Sequence, residues 1–290
     1  MKNVLVLGGS RFFGKALVER LIDFGCHVAI ATRGQAKDLF GSRVDRLVVD
    51  RRDPESLKLA LKNKDFDLVF DNICYNDEEA EYLCRAIPKT VEKIVFTSSM
   101  AVYGPGRLLD EALFVPEEYR LEPFSEALDY GEGKRRAEAY YAQHAPVPYT
   151  AVRFPVVLGE EDYTERLLSY GKQVASQTEL ANPEGDMCFI SSDEAARFLC
   201  WCGQHDITGP INACSDGTIS IQNIISYYGE KIDVPVRVGV EGSEGAYHTY
   251  TNYILSNSYA ESKGFTFNQL DSYIYPLMDR YIKEITGQGK

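Results

Sequence analysis

Lys2-Asn3-Val4-Leu5-Val6-Leu7-Gly8-Gly9-Ser10-Arg11-Phe12-Phe13-Gly14 opens the chain. Val4 to Leu7 form a short apolar run with the length and branching of a strand buried on both faces. Beyond the glycines, Leu17, Val18, Leu21 and Ile22 recur at helical spacing, and Gly25 ends the pattern. Strand, glycine turn and helix in that order make a pyrophosphate site. Backbone N–H groups and the positive helix end face the anion, and glycine permits its close approach. The spacing is not the strict G-x-G-x-x-G. Gly8 and Gly14 fit a wider G-x-x-G-x-x-G with Arg11 in place of the middle glycine, so an ordinary strand-to-helix turn stays open as an alternative. Gly8, Ser10, Arg11, Phe12, Phe13 and Gly14 are the candidate cofactor contacts of this turn.

Outward from that turn, strand and helix signals alternate. Strands are expected at 28–31, 46–49, 67–70, 94–96 and 150–152, with helices at 54–62, 77–86 and 130–144 between them. Such alternation predicts an α/β fold, a Rossmann-like doubly wound parallel sheet. After Gly159 the pattern becomes irregular. It predicts a helix over 161–177, a helix capped by Ser192 or Asp193 that reaches Cys202, and a strand over 209–213.

The second informative stretch is Phe96-Thr97-Ser98-Ser99-Met100-Ala101-Val102-Tyr103-Gly104, followed by Tyr130-Gly131-Glu132-Gly133-Lys134. Tyr130 and Lys134 are four apart and share a helix face, where the ammonium favours the phenolate of a group that otherwise titrates near pH ~10. With a serine hydroxyl from a strand end on the same substrate oxygen, the three make a proton relay for oxidising an alcohol or reducing a carbonyl. A Tyr-x-x-x-Lys pair alone also occurs on solvated helix faces.

With these segments in this order, the chain resembles the extended short-chain dehydrogenase/reductase family, of the NAD-dependent epimerase/dehydratase type, over most of its length. The resemblance implies that Ser99, Tyr130 and Lys134 are catalytic and that the Gly8–Gly14 turn holds the cofactor pyrophosphate. Asn72 and Phe154 join the expected cofactor contacts, with Tyr130 and Lys134. Arg153-Phe154-Pro155-Val156-Val157-Leu158-Gly159 looks like the strand entering a smaller C-terminal substrate domain. The division implied is 1–158 plus about 189–214 for dinucleotide binding, and about 159–188 plus 215–290 for substrate. Two departures stand out: Asp71-Asn72-Ile73-Cys74-Tyr75 replaces a small-residue run, and Met100-Ala101 stands where dehydratases carry Asp-Glu, which argues against elimination. The Gly-Gly-Ser-Arg-Phe start resembles a divergent branch that includes chloroplast RNA-binding members. The expected activity is that of an oxidoreductase or epimerase on a secondary alcohol or ketone of a nucleotide-linked sugar. The alternative is a non-catalytic dinucleotide sensor or RNA-associated protein of the same fold.

Cofactor choice turns on the end of the second strand, where Thr32 and Arg33 replace a carboxylate. A guanidinium suits a 2′-phosphate, favouring NADP over NAD. Asp50 and Arg51 are further adenosine-side candidates, although Asp50 also suits a plain turn ahead of Pro54. Met100 and Arg153 are the substrate-side candidates. Arg153 lies in an apolar strand, so it either reaches a substrate phosphate or pairs with an internal carboxylate.

Composition narrows the class. At 290 residues and 44% hydrophobic the chain can bury a full core, and its net charge of −12 disfavours a nucleic-acid backbone as the main partner. No apolar run of membrane-spanning length and no signal-peptide layout appears, so a cytoplasmic protein is expected. Seven scattered cysteines and four unpaired histidines give no metal-ligand spacing, and reduced core thiols are expected. Tyr247, Tyr250, Tyr253 and Tyr259 could stack on a substrate base, with packing the weightier alternative. The resemblance also implies a homodimer through the helices at 77–86 and 130–144. Ala137, Tyr140, Tyr141 and His144 spread apolar surface over more than one face, although the chain's own segment after Gly104 is long enough to cover it.

Overall fold

The structure, a computed structural model, describes residues 2–35, 37–123, 127–247 and 251–287. The opening strand β1 (Asn3–Leu7) lies inside the sheet. β2 (His27–Thr32) and β3 (Val44–Val48) lie on one side of it, and β4 (Leu68–Asp71) and β5 (Lys93–Ser99) on the other. The strands Tyr149–Phe154 and Gly209–Asn212 extend the β5 side to a seven-stranded, all-parallel sheet. Strand order therefore reverses beside β1, and the carboxyl ends there leave a crevice.

The continuous apolar run of β1 is explained by cover on both faces. Val4 and Val6 pack with Leu17 and Val18 of α1 (Phe12–Asp23) and with Phe198 of α6 (Ser192–Gln204). Leu5 and Leu7 pack the other way, against Leu57 of α2 (Pro54–Leu61), Leu83 of α3 (Asp77–Ala86), and Ala137 and Tyr141 of α4 (Tyr130–His144). The period of two survives inside an all-apolar strand because each face meets its own helices. The signals that start α2 and α3 are local: Asp53 and Asn76 accept from the N–H groups of Glu55 and Glu79, and Pro54 opens the first turn of α2.

A third cluster joins α5 (Arg166–Ala175), α7 (Ile221–Ile232) and the helix Asp271–Thr286 with Met100, Val102 and Leu109. A four-stranded sheet of Gly106–Leu109, Asp186–Met187, Ile219–Ser220 and Tyr253–Leu255 lies within it. Chain order and packing diverge twice. Ala260, Phe265 and Phe267 return to pack beside Phe198 on the α1 and α6 face, and the segment after β5 packs with the late helices.

Three local expectations change. The helix expected over 161–177 begins only at Arg166, because Asp162 Oδ1 accepts from the N–H and hydroxyl of Thr164, and Glu165 has φ 51°. Ser191, rather than Ser192 or Asp193, caps α6 by accepting from Glu194 N–H. In α4, Tyr141 spreads no surface outward. It is buried against Phe96, with its hydroxyl donating to Asp71 Oδ2 at 2.7 Å. Within the chain α4 packs on α3 through the Arg136–Asp77 ion pair and on the 116–119 segment, whose carbonyls accept from Gln143, while Tyr140 stays partly exposed.

Candidate active site

The crevice at the strand ends is a cleft of about 980 Å³ running between the sheet and the α5 lobe. Gly8, with φ +82°, turns the chain out of β1. Gly14 allows the first turn of α1 to lie on that turn, since a Cβ there would stand 2.2 Å from the Gly8 carbonyl oxygen. Arg11 precedes α1 in extended conformation without a side-chain cap, so the first N–H groups of the helix remain available to an anion. Phe12 adopts φ 51°, a strained conformation for a bulky residue, at the lip of the cleft with Ser10, Arg11 and Phe13.

Farther along the floor, Asn72 Oδ1 accepts from Thr97 Oγ1 at 2.8 Å, while its buried Nδ2 has no partner among the described residues. A buried orphan donor costs about 1–3 kcal/mol, so this amide is set for an acceptor supplied by a ligand. An uncapped helix end, a close glycine turn and an orphan donor along one cleft fit an anionic, acceptor-rich dinucleotide.

At the end remote from Ser99, Tyr130 and Lys134, Thr32, Arg33 and Asp50 border the cleft. Thr32 Oγ1 accepts from Gly34 N–H at 3.2 Å, and Asp50 Oδ1 accepts from Arg52 N–H at 3.0 Å. Arg51 also borders the cleft, but its guanidinium turns inward, donating to Asp71 Oδ1 at 2.5 Å and to the Glu79 carbonyl at 2.7 Å. The ion pair with buried Asp71 removes that charge from the set of cofactor contacts and makes it a support for the loop after β4.

At the other end, Ser99, Tyr130 and Lys134 all border the same cleft. Ser99 Oγ accepts from Ala101 N–H at 3.2 Å as the cap of a short 3-10 turn, leaving its own hydrogen to donate. Tyr130 is the first residue of α4 and is 54% exposed. Lys134 is 2% exposed, its ammonium donating to the carbonyls of Cys74 at 2.7 Å and Thr97 at 2.8 Å. Tyr130 and Lys134 are thus on one helix face, and the ammonium lies 5.8 Å from the Tyr130 ring centre. Phe154 borders the cleft nearby and packs on Phe13, 6.1 Å between ring centres.

Of the two substrate-side candidates, Met100 borders the cleft and Arg153 does not. Arg153 is wholly buried and takes the second of its two expected roles. Its guanidinium pairs with Glu138 at 2.7 Å and donates to Tyr103 Oη, the Glu111 carbonyl and the Phe114 carbonyl. Nothing of its donor set remains to reach a substrate phosphate.

Tyr247 and Tyr253 are both buried at the α5 side of the cleft, where Tyr253 Oη donates to the carbonyls of Met100 and Tyr103. Tyr247 Oη has no partner among the described residues. Tyr250 and His248 lie outside the described residues, and Tyr259 does not border the cleft. Among the described residues no cluster of His, Cys, Asp or Glu has metal-holding geometry, and the seven thiols are free.

Four contributors escape a reading based on motifs. Gly131 and Gly133 wedge the first turn of α4 between two loops: a Cβ on Gly131 would meet the Ala101 carbonyl at 2.6 Å, and one on Gly133 the Tyr75 carbonyl at 2.2 Å. The signal was present, because glycine costs a helix interior about 1 kcal/mol relative to alanine and needs a reason. Glu138, one turn beyond Lys134, holds both Ser98 and Arg153. Tyr75 stands beside the Lys134 ammonium, 5.0 Å from it to the ring centre.

Comparison with known proteins agrees with this architecture. Residues 4–210 match the model of the NAD dependent epimerase/dehydratase family. The UDP-glucose 4-epimerase of Thermus thermophilus, solved with NAD, is 20% identical and superimposes with a TM-score of 0.71 over 98% of this chain and 99% of that one. A UDP-glucose 4-epimerase of Thermotoga maritima, solved with UDP-glucose, is 16% identical with a TM-score of 0.76 over the same shares. At these identities the likeness concerns the fold. A curated relative, the chloroplast stem-loop binding protein of 41 kDa b of Arabidopsis thaliana, is 31% identical over 175 residues, 56% of this chain but only 44% of that protein. The family match takes in the glycine turn, Ser99, Tyr130, Lys134 and nearly all of the parallel sheet, and the chain belongs to the NAD dependent epimerase/dehydratase family.

Proposed function

We propose that the protein is an NAD(P)-dependent epimerase or reductase acting on a secondary alcohol or ketone carried by a nucleotide-linked sugar. The observation that carries this reading is the convergence of Ser99, Tyr130 and Lys134 at one end of a cleft that runs past the uncapped, glycine-built start of α1. When bound, the dinucleotide supplies hydride exchange at carbon. Gly8 to Gly14 and Asn72 hold it by backbone N–H groups and the orphan amide, and Arg33 meets a 2′-phosphate if NADP is the form used. Ser99 donates its free hydrogen to the substrate oxygen. Tyr130 Oη exchanges the proton of that oxygen, and Lys134 presents its charge to both the phenol and the ribose hydroxyls. Substrate enters from the α5 side, where Tyr247 and Arg166 border the cleft. Met100-Ala101 provides no acid-base pair for elimination, which leaves epimerisation or net redox. A cytoplasmic homodimer completes the reading, with the outer faces of α3 and α4 as the pairing surface. Among the described residues no helix is long and apolar enough to cross a membrane.

Tyr130→Phe removes only the hydroxyl. Turnover should fall by a factor of roughly 10² or more while dinucleotide affinity, read by titration calorimetry, stays within a few fold. Retained turnover refutes the relay. Dialysis separates the two reactions: retention of the dinucleotide favours epimerisation, in which it is regenerated each turnover, and free exchange favours net redox.

The second reading, an RNA-associated protein of the same fold, is favoured by the stem-loop binding relative alone. Submicromolar, salt-sensitive RNA retention on a filter, with no hydride transfer to any sugar nucleotide, would replace the first reading with this one.

A further inference from the structure

Lys134 is a buried ammonium without a carboxylate partner among the described residues. Its charge is met by two carbonyls and by the faces of three rings, Tyr75 at 5.0 Å, Phe96 at 4.9 Å and Tyr130 at 5.8 Å. An isolated buried ammonium is expensive, and aromatic faces offset part of that cost. Phe96 belongs to the sheet core and Tyr130 to the relay. Tyr75 belongs to neither. It is 49% exposed, borders the cleft and stands 6.4 Å from the Tyr130 ring.

Its backbone is fixed from three directions. Tyr75 N–H donates to Glu79 Oε2 at 2.8 Å, and its carbonyl packs against the bare Cα of Gly133. Beneath it, Arg51 ties Asp71 to Glu79. Burial, with the neighbouring Tyr163 and Tyr130, pushes its phenol up to about 12, so the ring stays neutral over the working pH range. A loop held by these contacts therefore carries a neutral ring to the cleft side of the ammonium.

We propose that Tyr75 is a positioning residue of the relay: its ring flanks Lys134 at the cleft, limits the access of water to the ammonium and holds the Tyr130 ring in register with the lysine. The inference rests on the relay reading above, but half of its test does not. Amine labelling with acetic anhydride, read by peptide mass spectrometry, should find Lys134 slow relative to exposed Lys62 in the wild-type protein. Tyr75→Ala should raise the Lys134 rate at least tenfold. Tyr75→Leu, which keeps most of the volume without a ring face, should raise it severalfold, and Tyr75→Phe should recover most of the protection. In turnover, Tyr75→Ala should lower kcat about tenfold with KM changed less than threefold, and Tyr75→Phe should recover most of that loss. Unchanged Lys134 labelling in both the Ala and Leu variants overturns the shielding. Increased labelling with unchanged kcat overturns the positioning. If Tyr130→Phe also leaves turnover intact, the relay itself fails while the labelling result stands.

Discussion

Glu138→Gln is the sharpest test of how the site is supported. Glu138 and Arg153 are wholly buried and paired at 2.7 Å, and Glu138 also takes the hydroxyl of Ser98, the neighbour of Ser99. The glutamine keeps shape and one acceptor oxygen but removes the charge that compensates Arg153. Breaking a buried pair from one side costs about 3–5 kcal/mol, because the remaining ion keeps its desolvation penalty. With an unfolding entropy of about 2.1 cal/mol/K per residue, the chain has roughly 0.6 kcal/mol/K, so Tm should fall by about 5–8 °C. Urea denaturation followed by far-UV circular dichroism reads the same loss directly. Arg153→Met should cost a similar amount, since it leaves the buried Glu138 carboxylate without its counter-charge and removes a donor from Tyr103 Oη and from the Glu111 and Phe114 carbonyls. The double variant should lose about 2 kcal/mol less than the sum of the single losses. Asp193→Asn, which breaks the exposed Arg20–Asp193 pair, should stay within about 1 kcal/mol. A cost below about 1 kcal/mol for Glu138→Gln, or strict additivity in the double variant, refutes the argument.

Arg33→Asp should shift preference from NADP toward NAD by more than tenfold, about 1.4 kcal/mol, in paired calorimetric titrations, and unchanged relative affinities exclude contact with a 2′-phosphate. Alkali should destabilise the fold. Burial pushes the thiols of Cys74, Cys84 and Cys200 each up to about 12, so the folded chain keeps protons that the unfolded chain releases above about pH 8.5. That stability is fully present below about pH 8.5 and is lost as pH rises toward 12, on the order of 1.4 kcal/mol per thiol per pH unit. A urea midpoint that is flat between pH 8 and 10 contradicts this. Light scattering should return twice the 32.6 kDa chain mass at micromolar concentration, and a monomer excludes pairing through α3 and α4.

What the sequence determined by itself was whatever short-range physics enforces. The apolar run Val4–Leu7, the glycines at 8 and 14 and the alternation as far as His144 specify a doubly wound parallel sheet, because strand length, turn conformation and helix period are all local. The start and end of α3 and of α4 follow from their caps and periodicity for the same reason. Spacing placed Tyr130 and Lys134 on one face, since four residues make about one turn. The tertiary structure alone decided where long side chains spend their charge. Arg51 looks in sequence like any cleft-facing arginine, and the apolar strand around Arg153 left two roles open, a substrate phosphate or an internal carboxylate; each turns inward to a carboxylate on another element, Asp71 and Glu138. Tyr141 turns into the core, and Tyr75 comes to the side of Lys134. Each outcome depends on which helix and loop fill the space beside the strand ends. Propensity and period carry no information about contacts between residues so distant in the chain, and desolvation makes those contacts decisive once the core has formed.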